Sequence, residues 1–161
     1  MARNLPPDRE TAPIVQKLRL RYAKRGRLRF SSHRDFQRAL ERALRRADIP
    51  MAYSAGFSPH PKVSYANSAA TGVASEAEYV EIGVAIACDP AAVRAALDEA
   101  LPPGLDVVEV VEARTPDFAN RLEASIWRVE LPGVAQATAD EATRRFLAAA
   151  EVNAGRLTKD G

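Results

Sequence analysis

A chain of 161 residues with 47% apolar and 27% charged side chains holds enough apolar material for one packed core and part of another. No run approaches the roughly 20 apolar residues that cross a bilayer, and the N-terminus has no apolar signal core, so no membrane partner is expected. The net charge of +2 conceals an asymmetry: residues 1–47 carry fourteen Arg or Lys against four acids, a net of +10, whereas residues 48–161 carry a net of −8.

Residues 1–13 are polar and proline-bearing and are expected to form a flexible leader. Leu18, Leu20 and Tyr22 then alternate with Arg19 and Arg21, the period of a strand with one buried face. Lys24-Arg25-Gly26 has turn chemistry, and Leu28 and Phe30 keep the parity of the earlier apolar set, so both are expected to face inward on strand. Ser32 followed by Asp35 forms a capping box ahead of a helix whose apolar stripe is Phe36, Ala39, Leu40, Ala43 and Leu44. Arg34, Arg38, Arg42 and Arg45 take the other side, with Glu41 offered as an i,i+4 partner to Arg45. Pro50 stops the helix.

Met51 to Ser54 and Val63 to Tyr65 read as short extended pieces flanking a Pro/Gly-rich loop. Glu78 to Ala87 alternates strictly and predicts a strand; Asp89-Pro90 caps a second helix with the stripe Val93, Ala96, Leu97, Ala100 and Leu101. Leu105 to Val111 is β-branched and strand-like. The order β-α-β-β-α-β over residues 14–115 predicts a ferredoxin-like α+β domain. Residues 116–161 are expected to open a second, incomplete ferredoxin-like unit. It consists of a strand over Ala124 to Leu131, a capping box at Thr138 and Glu141 starting a helix, and Gly155 as its C-cap. Lys159-Asp160-Gly161 is a turn signal, after which the natural chain is expected to continue.

Both histidines lie between Gly26 and Tyr65, where the unusual chemistry concentrates. Pro59 and Pro61 stiffen the backbone around His60, Gly56 permits a tight turn, and Phe57 either anchors the loop or stacks on a base. His33 sits at the first helical residue, where exposed N–H groups and the helix dipole attract anions. Should the loop fold over this corner, His33, His60 and Lys62 would join Arg27, Arg29, Ser32 and Arg38 in a phosphate pocket. The plainer account of these residues is helix capping and a rigid connection. One cysteine, Cys88, rules out an internal disulfide, fits a reducing cytoplasm and leaves no iron–sulfur ligand set. No metal spacing motif, phosphate-binding loop, dinucleotide fingerprint or nucleophile elbow is present, so no cofactor and no metal are expected.

The run Gly26-Arg27-Leu28-Arg29-Phe30, Ser32-His33 with Asp35, the arginine-rich helix from Arg38 to Arg46, the pair Tyr53-Ser54, the loop Gly56-Phe57-Ser58-Pro59-His60-Pro61-Lys62 and the Gly72 to Ile86 hairpin with Glu78-Tyr79 resemble the bacterial radical-SAM-linked proteins. The resemblance covers about residues 17–131. It departs at Arg34, where an apolar residue is usual, and at Ala69-Ala70-Thr71, where proline and leucine are usual. It implies a radical SAM protein as partner and no established activity.

Three functions are compatible with these residues. One is a non-enzymatic binding module for RNA or another phosphate-bearing substrate, with Arg19, Arg21, Arg25, Arg27, Arg29, Arg38 and Lys62 meeting phosphates and Phe57 stacking. Another is a protein-docking domain without nucleic acid. The third is a metal-independent endoribonuclease using His33 and His60 as acid and base, with Lys62 stabilising the phosphorane.

Overall fold

Alternation and chain reversal at glycines generate four strands: β1 (Gln16–Lys24), β2 (Val63–Tyr65), β3 (Ser75–Val84) and β4 (Leu105–Glu112). Two helices, α1 (His33–Arg46) and α2 (Pro90–Ala100), fall between them, giving the order β-α-β-β-α-β. The computed structural model describes residues 11–66, 68–153 and 155. The chain divides into two compact units, Met1–Glu123 and Ala124–Gly161. Most of the expected leader and the Lys159-Asp160-Gly161 turn lie outside the described residues.

The first unit is α+β. Its sheet has the order β2-β3-β1-β4, with every neighbouring pair antiparallel. It follows that β1 and β2 run parallel with β3 inserted between them. Leu18, Leu20 and Tyr22 of β1, with Val80, Ile82 and Val84 of β3, share one face and pack against Phe36, Leu40 and Leu44 of α1 and Val93 and Leu97 of α2. Burial of this apolar face is the main driving term, at roughly 25 cal/mol per Å² removed from water. The other face carries Lys17, Arg19, Arg21, Tyr79, Glu81 and Glu109, as the period of two requires.

The helix termini follow their local chemistry. Asp35 donates its backbone N–H to Ser32 Oγ at 3.2 Å, and Ser32 returns its own N–H to Asp35 Oδ2 at 3.1 Å, completing the capping box. Asp89 accepts from Ala92 N–H at 3.1 Å, and Pro90 occupies the first position of α2. At the far end of α1, Arg46 donates to the last carbonyl of α2, Ala100, at 3.1 Å.

Three expectations are corrected. The chain from Gly26 to Phe30 is a 3-10 turn, not strand: Gly26 adopts φ +52°, Ser31 donates backwards to Leu28, and Phe30 is left exposed beside Gly72. Ala124 to Leu131 is not a strand. Its backbone has no sheet neighbour among the described residues, and Trp127, Val129 and Leu131 are exposed. The helix of that unit, α3 (Gln136–Ala148), starts before Thr138 and has no side-chain cap, so the proposed box does not form. Glu141 pairs instead with Arg144 at 2.6 Å, and the helix ends at Ala148 with Ala149 as its C-cap, well short of Gly155.

Candidate functional site

Antiparallel pairing places the acids of β3 and β4 opposite the cations of β1, and this decides which charges remain available. Lys17 Nζ donates to Glu81 Oε1 at 3.0 Å and Arg19 Nε to Glu81 Oε2 at 2.9 Å. Arg21 faces Glu109 at 3.5 Å, and Arg25 is held by Glu76 at 2.8 Å and Asp106 at 2.7 Å. Arg19 also donates to the hydroxyl and carbonyl oxygens of Thr115 and lies 5.4 Å from the Phe118 ring centre, which binds the segment after β4 to the open sheet face. The expectation that Arg19, Arg21 and Arg25 form an uncommitted basic face is therefore corrected.

The arginines of α1 differ. Arg34, Arg38, Arg42 and Arg45 are all exposed, and none pairs with a carboxylate among the described residues. At 3.6 residues per turn they fall within an arc of about 80° and span roughly 16 Å along the axis. Glu41 does not pair with Arg45 as expected. It lies towards Tyr65, whose hydroxyl is pushed up to about 12 by burial first and by Glu41 second. Arg27 and Arg29 stand exposed on the turn just before α1, with Arg29 over the Phe30 ring at 4.7 Å.

The two histidines are not brought together. His33 opens α1 on the helix-covered side, edge-on to Tyr65 with ring centres 5.1 Å apart. Its Nε2 lies 3.0 Å from Gln37 Nε2, and its buried Nδ1 has no partner among the described residues. Ser32 is consumed by the capping box. His60 is exposed on the other side, where it lines a cleft of about 170 Å³ with Lys17, Ser54, Lys62, Ser64 and Glu81. The phosphate pocket expected to unite His33, His60 and Lys62 with Arg27, Arg29 and Arg38 is not assembled, because β2 inserts between the two histidines with Tyr65 on one face and Ser64 on the other.

The loop between Ser54 and His60 is a built element. Ser54 donates its N–H to the His60 carbonyl at 2.9 Å, and His60 donates its N–H to Ser54 Oγ at 3.0 Å. Gly56 turns the chain at φ +121°, and Phe57 at the tip is 60% exposed, which excludes its role as a core anchor.

Sequence reasoning passed over two features. Lys17 and Ser64 join the cleft only through strand register, and their alternation with buried neighbours was the available signal. Lys24 and Glu78 are buried at one end of the sheet, where they hold the carbonyl and the N–H of Ala69, each at 3.0 Å. Nothing local marks these two as interior residues.

Among the described residues no group of three or more His, Cys, Asp or Glu could hold a metal, and no helix is long and apolar enough to cross a membrane. No curated protein matches the chain. A family described as an uncharacterized protein conserved in bacteria, DUF2344, matches residues 17–161. That description mentions neither a radical SAM partner nor RNA. The match spans both units, and the chain belongs to this bacterial family.

Proposed function

We propose that the chain is a non-enzymatic binding module that grips RNA through the arginine face of α1. The supporting observation is the partition of charge: Lys17, Arg19, Arg21 and Arg25 are paired by acids of β3 and β4, whereas Arg34, Arg38, Arg42 and Arg45 have no carboxylate among the described residues. Uncommitted guanidinium groups in a row are suited to phosphates, because contact with them releases counterions from the nucleic acid. Arg27 and Arg29 extend the same basic surface through the turn that leads into α1.

We read the interleaved strand order as the ferredoxin-like arrangement, a scaffold that serves many functions and so adds no function by itself. The radical SAM partner enters as a proposal resting on the sequence resemblance. With one cysteine in this chain, any iron–sulfur chemistry would belong to that partner.

Filter binding of the full chain to structured and single-stranded RNA at low salt is the direct test. Retention of RNA supports the assignment, and absence of binding to either form overturns it. Protein docking without nucleic acid is the second reading, supported by Phe57 standing exposed on the stapled loop. A partner complex that survives nuclease treatment, with no RNA retained by the chain alone, favours it. The two-histidine endoribonuclease has no comparable support, since His33 and His60 lie on opposite sides of the sheet.

A further inference from the structure

We infer that Ala124 to Leu131 is a self-association strand, completed by the same segment of a second copy of this chain running antiparallel about a two-fold axis at Val129. The segment runs without turn or bend, and no backbone group from Ala124 to Glu130 has a hydrogen-bond partner among the described residues. Free N–H and C=O groups along extended backbone are a template for another strand. Trp127, Val129 and Leu131 alternate with Arg128 and Glu130, so pairing sets the three apolar side chains on one face and the two charges on the other. Arg128 already reaches Glu130 at 2.8 Å within one chain, which places both on the same side. α3 buries none of its residues either, so among the described residues the second unit has apolar material and no core of its own.

Residue order selects the occupant. In the two-fold register Arg128 faces Glu130 of the second copy and Glu130 faces Arg128 of the second copy, while Trp127 meets Leu131 and Val129 meets itself. Sliding one strand by one residue sets apolar side chains opposite charged ones. Sliding it by two, or turning it parallel in register, sets Arg128 or Glu130 against its own counterpart. One register therefore satisfies both faces, and the partner it calls for has this chain's own order of residues.

Net charge and area agree with this occupant. Residues 124–161 hold five Arg or Lys and five Asp or Glu, so two copies of the unit meet without net repulsion, unlike two copies of residues 1–47 at +10 each. Eight large apolar side chains of the unit are exposed. At about 100 Å² each they supply roughly 800 Å² per copy, one partner's share of an interface of standard size. A two-stranded ribbon needs helices over its apolar face to be stable, and α3 of each copy is free to serve.

The test is sedimentation equilibrium of the full chain at pH 7 over roughly 1 to 100 μM, where a reversible dimer changes its population with concentration. Trp127 is the one tryptophan of the chain and is 69% exposed, so its emission should shift to the blue as the dimer forms. Arg128→Glu and Glu130→Arg, both changes at exposed side chains, should each weaken self-association roughly tenfold, because two opposite-charge pairs become two like-charge pairs. Mixing these two variants should restore association to the parent's strength, since each then faces its opposite in the other copy. The double exchange Arg128→Glu with Glu130→Arg should restore it within one chain. A monomer at every concentration, a dimer without the Trp127 shift, single variants that associate like the parent, or a mixture no tighter than its components overturns the assignment. RNA binding by α1 can fail without touching this result, since Arg34, Arg38, Arg42 and Arg45 are unchanged in every variant.

Discussion

Replacing Arg38 and Arg42 together by alanine removes two of the four cations on the arginine arc of α1 that have no carboxylate partner among the described residues, while leaving its buried stripe intact, because both side chains are exposed. Each phosphate neutralised on a single strand contributes about −0.7 to the slope of log affinity against log salt. Four contacts therefore predict a slope of about −2.8, and two contacts about −1.4. Between 50 and 200 mM salt the parent should lose affinity roughly 50-fold and the double variant only about 7-fold. Filter binding to a single-stranded RNA across that range measures both slopes, with circular dichroism confirming that the helix persists. Arg21→Ala is the informative comparison, since Arg21 faces Glu109 and its loss should leave the slope close to the parent's. A double variant with the parental slope, or an Arg21→Ala variant with the larger loss, would refute the argument that pairing decides which arginines meet phosphate.

Three further outcomes test the scaffold. Ser32→Ala removes the hydroxyl that accepts from Asp35 N–H and should cost about 1 kcal/mol in urea unfolding; an unchanged midpoint would show the capping box contributes nothing. Gly104→Ala should destabilise by about 1–3 kcal/mol, because the residue sits at φ +96° with a Cβ position 3.0 Å from the Arg25 carbonyl oxygen, and a neutral result would contradict that geometry. Glu81 gives a pH test. Burial would raise its carboxyl, but hydrogen bonds from Arg19 and Lys17 outweigh burial and hold it below the ordinary glutamate range. Its stabilisation is therefore complete above the unfolded value of about 4.3 and disappears as pH falls through the lower folded value. Urea midpoints measured from pH 6 downward should fall less steeply for Glu81→Gln than for the parent, and parallel curves would exclude the linkage.

Phe36, Leu40 and Leu44 could be assigned to the core from spacing alone, as could Val80, Ile82 and Val84, because amphipathic periodicity is a property of neighbouring residues. Ser32 and Asp35 were legible for the same reason: a capping box is complete within four residues. Phe30 was misread because parity assumes an unbroken strand, and Gly26 broke it. Ala124 to Leu131 shows the complementary failure, since alternation prepares a strand but only a paired neighbour makes one. The candidate site was legible as an inventory, not as an arrangement. His60 and Lys62 do share a cleft, but with Lys17 and Ser64 and without His33.

Residue order by itself determined the helices, the strand alternation of the first unit and the concentration of cations in residues 1–47, all of which depend on near neighbours or on composition. Tertiary structure alone decided which of those cations remain available. Glu81 stands 62 residues from Arg19 along the chain, and only antiparallel register across β1 and β3 brings the two within 2.9 Å. Surface charge is a long-range sum over partners that folding selects, and so Arg19 and Arg38 are equivalent in the sequence and different in the molecule.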